Sequence, residues 1–287
     1  MTATLRRAPS SCVPNEKSTA SIAVTERQGA PLIHATAVVD PSACIDSGVS
    51  IGPYAVIGAN VCIESGCVVG THVVIDGRTS IGAGTRIFPF ASIGQAPQDK
   101  KYAGEDTALE IGRNNSIREY VTINTGTLQD EGVTRIGDEN WIMAYVHIAH
   151  DCRIGHHCVL ANNATLAGHV QLGDHVTLGG ATLIHQFCRI GAHAFSAYGA
   201  RINKDVPPFI TVSEGRARPR GLNAEGLKRR GFTSDRINSL KEAYRLLYRS
   251  ELSLEEAIAA LEPAAADNED VRQLRSFLRH CERSIVR

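Results

Sequence analysis

From Ile33 onward an aliphatic residue returns at every sixth position: Val39, Ile45, Ile51, Ile57, Ile63, Val69, Ile75, Ile81, Ile87 and Ile93. The beat resumes at Ile111, Ile117 and Ile123. It runs again from Ile136 through Ile142, Ile148, Ile154, Leu160, Leu166, Leu172, Leu178, Ile184 and Ile190. Helices repeat at about 3.6 residues and strands at about 2, so neither accounts for this spacing. A fixed six-residue beat is the signature of a hexapeptide parallel β-helix, in which each unit supplies a short strand with one inward aliphatic side chain and then a turn. Three units make a triangular coil of about eighteen residues. Coils stack at about 4.8 Å, which places Ile45, Ile63 and Ile81 above one another, and likewise Ile148, Leu166 and Ile184. No coil buries its core alone. Each stacked side chain gains roughly 1.5–3 kcal/mol on burial, and stability accumulates between neighbours. The glycines directly after the aliphatic residue (Gly52, Gly58, Gly70, Gly82, Gly94, Gly112, Gly137, Gly155, Gly173 and Gly191) are read as turn residues with positive φ. The repeat itself does not set the handedness.

The pattern divides the chain into three parts. Residues 1–28 are rich in Ser, Thr, Ala and Pro, show no period and are expected to be a disordered tail. Arg6 and Arg7 among small residues raise an organelle-targeting presequence as an alternative, against which Glu16 and Glu26 argue. Residues 29–215 form the solenoid, with inserted loops at 95–108 and 124–135; such insertions protrude, often at a binding face. From Arg216 to residue 287 the period becomes helical. Ser253 with Glu256 reads as a capping box, and Ile237, Leu240, Tyr244, Leu247 and Tyr248 form an apolar stripe that predicts a cap over the last coil.

Composition excludes several classes of function. Lys plus Arg and Asp plus Glu both number 30, so no global basic field invites nucleic acid. The longest apolar stretches fall far short of the roughly 20 residues a spanning helix needs. Eight cysteines show no CxxC pair and mostly occupy repeat positions. They are read as reduced core or turn residues rather than a disulfide framework.

Histidine is where chemistry enters. His147, His150, His156, His157, His169, His185 and His193 cluster within three coils. His147 and His150 flank the inward Ile148 and therefore face outward. Eighteen-residue arithmetic sets Gly168 over His150 and His169 over Asp151. That arrangement joins an imidazole, a carboxylate and a backbone N–H in one patch, as a general base with its orienting group requires. His156, His157 and His193 are read as solvated turn residues. A zinc site formed across a subunit boundary is the rival reading of the cluster.

Several longer stretches resemble one family, the UDP-N-acetylglucosamine acyltransferases that begin lipid A synthesis. They are Gln98 to Glu105, His147 to Cys152, Leu160 to His169, His185 to Cys188 and Asn223 to Phe232, and the resemblance spans about residues 31–287. It implies a left-handed β-helix with a C-terminal α-helical domain and a cytoplasmic homotrimer with active sites between subunits. It also implies acyl transfer from acyl carrier protein to UDP-N-acetylglucosamine without a cofactor or metal. Residue by residue, it makes His150 the general base, Asp151 its orienting partner and the Gly168 N–H the oxyanion donor. Asp99 and Lys101 would hold the sugar and the donor, and His147, His169, His185 and Gln186 would line the sugar and acyl sites. Asn223, Glu225, Arg229 and Arg230 would grip the nucleotide, paired arginines suiting a pyrophosphate.

The chain departs from the family pattern in places. Asn124 and Thr125 stand where histidine and arginine are expected, and Lys100 stands where an apolar residue is usual. Tyr198 stacks over Gly180 and Asn162, at a position where relatives using long acyl chains resemble one another in having a small residue. Tyr198 is therefore expected to act as a ruler that shortens the acyl groove. Ten basic residues between Arg216 and Arg249 face only Glu225, Asp235 and Glu242, a charge balance suited to docking an acidic carrier protein. Rival functions are acyl transfer to an amino sugar, a zinc hydro-lyase on the same fold, and a non-catalytic scaffold.

Overall fold

The computed structural model describes residues 29–213, 215–281 and 284–287. The expected N-terminal tail, residues 1–28, lies outside them. Short strands, most of two residues, build three sheets of eleven, nine and eight strands, beginning at Leu32–Ile33, Val38–Val39 and Cys44–Ile45 respectively. Successive strands fall in successive sheets, and each strand of the repeat pairs in parallel with the strand one coil on. The chain therefore winds around a three-sided prism. Ile45, Ile63 and Ile81 are register partners, as are Ile148, Leu166 and Ile184. These aliphatic residues fill one continuous core, with Ile123, Ile148 and Leu166 at 0% exposure.

The two inserted loops leave the same corner of the prism, where the second sheet passes to the third. Register partners Ile75 and Ile93 are 18 residues apart, whereas Ile93 and Ile123 are 30 apart and Ile123 and Ile148 are 25 apart. The loops thus add 12 and 7 residues to their coils (30 − 18 and 25 − 18). The second is shorter than the sequence suggests: strand Thr122–Asn124 precedes it and strand Val133–Ile136 follows it.

The glycine reading needs correction. Of the ten glycines after the aliphatic beat only Gly94 has positive φ, at 77°. The others are small because the next coil passes too close for a side chain: a Cβ at Gly82 would lie 2.6 Å from the backbone carbon of Gly112. The left-handed backbone falls three residues after the aliphatic position and is occupied mostly by rings, among them Tyr54, His72, Phe90, Tyr120 and Tyr145. Positive φ disfavours such residues. Stacking of these five rings, with centroids 4.9 to 5.1 Å apart, partly offsets that cost.

Beyond the last coil the chain folds back before it becomes helical. Arg218–Leu222 pairs antiparallel with Ile210–Ser213, so this stretch is a strand where the sequence suggests helix. Five helices follow: α1 (Ala224–Arg229), α2 (Ser234–Tyr248), α3 (Leu254–Ala260), α4 (Glu262–Asp267) and α5 (Glu269–Arg279). Ser253 and Glu256 form the expected capping box at α3. The α2 stripe is buried at Ile237, Leu240, Tyr244 and Leu247; Tyr244 and Val286 reach the prism core, and the remainder packs around Phe209. Among the described residues no helix is long and apolar enough to cross a membrane.

The seven described cysteines are free thiols. Cys67, Cys152, Cys158 and Cys188 are buried as expected, but Cys44 and Cys62 are not core or turn residues. Each precedes an inward isoleucine, so strand alternation turns it out to solvent.

Candidate active site

His150 and Asp151 occupy the turn at the corner from which both loops leave. His150 Nδ1 lies 2.8 Å from Asp151 Oδ2. Asp151 is 1% exposed and also accepts from the Thr127 backbone N–H at 2.8 Å and the Thr127 hydroxyl at 2.6 Å. Burial by itself would push the Asp151 carboxyl up, but His150, both Thr127 donors and the charge of His169 outweigh it and hold the group below the ordinary carboxylate value. An ionised carboxylate only accepts, so His150 Nδ1 carries the proton and donates it to Asp151. The Nε2 lone pair is left open.

Gly168 stacks over His150 as the eighteen-residue arithmetic requires. A Cβ there would lie 2.5 Å from Cε1 and 2.7 Å from Nε2 of the ring. His169, next along, sits with Nε2 3.8 Å from Asp151 Oδ2 and Nδ1 3.3 Å from Asp130 Oδ2, and stacks on Phe187 at 4.3 Å. His147 lies on the adjoining strand with Nδ1 2.7 Å from the Thr122 hydroxyl; burial first, then His150, lowers its pKa. Gln186 follows Gly168 in the next coil, and the Nδ1 of exposed His185 lies 3.1 Å from the Gln186 carbonyl.

The donor atoms of His150, Asp151 and His169 lie within 4.8 Å of one another, close enough to share a metal ion. Both Asp151 oxygens are already taken up by Thr127 and His150, however, and ligation would have to break that relay. The donor set fits proton transfer better than zinc.

The first loop carries Asp99 and Lys101. The Lys101 backbone N–H donates to Asp99 Oδ1 at 3.0 Å, and no described contact joins either residue to His150. The loop is nevertheless tied to the site. Asn124 Nδ2 donates to the carbonyls of Gln95 and Ala96, and the Thr107 hydroxyl donates to that of Thr125, two residues before Thr127. Where relatives are expected to place a charge, Asn124 thus anchors the root of the loop. Thr127, Asp130 and Phe187 escape sequence reasoning because the first two lie in an aperiodic insertion and the third looks like an ordinary turn residue.

A second group gathers elsewhere. Asn223, Glu225, Arg229 and Arg230 line a cavity of about 590 Å³ against the outer face of the first sheet, with Val159, Thr177 and Phe195 as its floor. Asn223 caps α1, accepting from the Gly226 N–H at 3.2 Å, and donates to the His193 carbonyl at 3.0 Å. Glu225 pairs with Lys228 at 2.9 Å. Arg230 keeps a buried Nη1 without a hydrogen-bond partner, a cationic group suited to an anion. Tyr198 lies at yet another corner, between the first and second sheets, beside Gly180 and 82% exposed.

His156 and His157 are half-exposed beside Asp138 and Glu139, as expected. His193 is not solvated. It is stacked between His175 and Phe209, and burial, then His175 and Arg230, push its pKa from 6.5 down to about 4. The folded protein therefore resists a proton that the unfolded chain accepts. This stability is complete above pH 6.5 and is lost as pH falls from there to about 4, by up to about 3 kcal/mol. His193→Phe should keep the stack and remove that share of the loss, measured by denaturant unfolding at neutral and acid pH.

Two family profiles match: "Udp N-acetylglucosamine O-acyltransferase; Domain 2" over residues 205–286 and "Bacterial transferase hexapeptide (six repeats)" over residues 134–168. An acyl-acyl-carrier-protein–UDP-N-acetylglucosamine O-acyltransferase of Janthinobacterium sp. (strain Marseille) is 58% identical over 260 residues, covering 89% of this chain and 99% of that protein. The chain belongs to the UDP-N-acetylglucosamine O-acyltransferase family. It is an acyltransferase. A relative of the same name from Xanthomonas campestris pv. campestris (strain B100) is 58% identical over 262 residues, covering 91% of this chain and all of that one (100%). The solved structure of LpxA from Acinetobacter baumannii has 45% identity and a TM-score of 0.87, covering 89% of this chain and 100% of that chain. Family members of this kind share the parallel sheets and hexapeptide repeats described above.

Proposed function

We propose that the protein transfers an (R)-3-hydroxyacyl chain from acyl carrier protein to the 3-hydroxyl of UDP-N-acetylglucosamine, the first step of lipid A biosynthesis. The observation that carries this reading is the Thr127–Asp151–His150 relay, which leaves His150 Nε2 open beneath Gly168. His150 takes the proton of the sugar hydroxyl as its oxygen attacks the thioester carbonyl, a role worth about 10²–10⁴ in rate. The Gly168 N–H donates no hydrogen bond among the described residues and stabilises the tetrahedral oxyanion. Collapse forms the ester and expels the carrier thiolate, which takes the proton back from His150. Asp151 holds the ring and its charge. Asp99, Lys101, His147, His169, His185 and Gln186 position sugar and acyl chain. Lys228, Arg236 and Arg245 are engaged by Glu225, Asp270 and Glu242; the basic stretch from Arg216 to Arg249, apart from the nucleotide-binding Arg229 and Arg230, docks the acidic carrier.

The same reading includes a left-handed coil and a homotrimer. His150 stands at a corner of the prism while the Asn223–Arg230 cavity opens on the first sheet, so one protomer presents the base and the nucleotide site on different faces. A neighbouring copy brings the two together. Coexpressing His150→Ala and Arg230→Ala chains tests this. Mixed assemblies should exceed the activity of either variant alone, and no recovery would place both residues in one protomer's site. Tyr198 limits acyl length in this reading, so the preferred chain is medium. Tyr198→Gly should shift the preference to longer donors, measured by competition among acyl carrier proteins of graded chain length.

A further inference from the structure

Cys44 and Cys62 differ from the other described thiols in being exposed side by side. They are register partners on adjacent parallel strands, Cys44–Ile45 and Val61–Ile63, and both point outward from the third sheet. In-register strands set α-carbons about 4.8 Å apart, inside the range of about 4.4–6.8 Å that a disulfide spans. Cys44 is the largest influence on the Cys62 thiol and raises its pKa above the ordinary value. The buried thiols are poor competitors: Cys67 donates to the Gly82 carbonyl and Cys152 to the Ala167 carbonyl, both at 3.2 Å.

We propose that Cys44 and Cys62 are a peroxide-oxidisable thiol pair that closes into a disulfide between the first two coils. One thiol gives up its proton and the thiolate attacks an oxygen of hydrogen peroxide; the O–O bond breaks, the sulfur becomes a sulfenic acid, and the other oxygen leaves as hydroxide, which takes up that proton to become water. The second thiol then displaces the sulfenic hydroxyl, which departs as water with the thiol proton, and the S–S bond forms. Two electrons pass from the thiol pair to one peroxide, giving two waters. Disulfides hold their β-carbons about 3.5–4.5 Å apart, so the strands must draw together slightly. Strand Cys44–Ile45 can do this because it is the last in its sheet and pairs on one side only. The first coil is also loosely covered, its inward Ile33 being 43% exposed. The closed bridge joins residues one coil apart and pins the open end of the prism, which otherwise frays most readily.

The test uses the full chain carrying Cys12→Ser, because Cys12 lies outside the described residues. After hydrogen peroxide treatment and alkylation of remaining thiols, cleavage at Asp46 and Glu64 places Cys44, Cys62 and Cys67 on separate peptides. The expected product is a Cys44–Cys62 linked pair about 2 Da lighter than its separate peptides, within a chain of monomer mass and released by dithiothreitol. Cys44→Ser and Cys62→Ser should each abolish it. Alkylation of both cysteines after peroxide, oxidation of a single thiol to sulfinic acid, or a bridge joining two chains would each overturn the proposal.

Discussion

Replacing His150 with alanine is expected to lower kcat for acyl transfer by about 10²–10⁴ while leaving KM for the nucleotide sugar within a small factor. The split follows from position. The nucleotide is read as held by Asn223, Glu225, Arg229 and Arg230 around their own cavity, which His150 does not line. Folding should survive, since Asp151 keeps both donors from Thr127 when the imidazole is gone. A loss of kcat and of stability together would instead make His150 a structural residue.

Gly168→Ala should be nearly as damaging, although it removes no functional group. The new methyl carbon would sit 2.5 Å from His150 Cε1 and 2.7 Å from Nε2, well inside contact distance. The ring cannot step aside without breaking its 2.8 Å bond to Asp151, and a methyl at that point also covers the nitrogen that must meet the sugar hydroxyl. A fall in kcat of roughly 10² or more is expected. Because the change acts through His150, it should cost little further when His150 is already alanine, as steady-state rates of the two single variants and the double variant would reveal. Additive losses would mean that the Gly168 N–H acts independently of the base.

Much of this arrangement is legible in the residues. The six-residue beat fixes which side chains stack and by itself sets Gly168 over His150. Where the beat breaks, so does the reading. Thr127, which holds Asp151, lies in an insertion with no period, and only the folded loop shows that its hydroxyl and amide converge on the carboxylate. The glycines after each aliphatic residue look like left-handed turns because glycine tolerates positive φ, yet close passage of the next coil decides their identity. His193 looks solvated because the stack that buries it joins residues eighteen apart to Phe209 and the cap. Cys44 and Cys62, by contrast, could have been placed from alternation alone, since each stands directly before an inward isoleucine.

The most direct test of the account is to supply purified protein with (R)-3-hydroxyacyl carrier proteins of graded length and either UDP-N-acetylglucosamine or its 3-amino analogue, and to identify the product by mass spectrometry and alkaline lability. An alkali-labile 3-O-ester formed from the natural sugar by wild type, and lost in His150→Ala, is the predicted result. Transfer to the amine alone, or turnover that survives in His150→Ala, would contradict it.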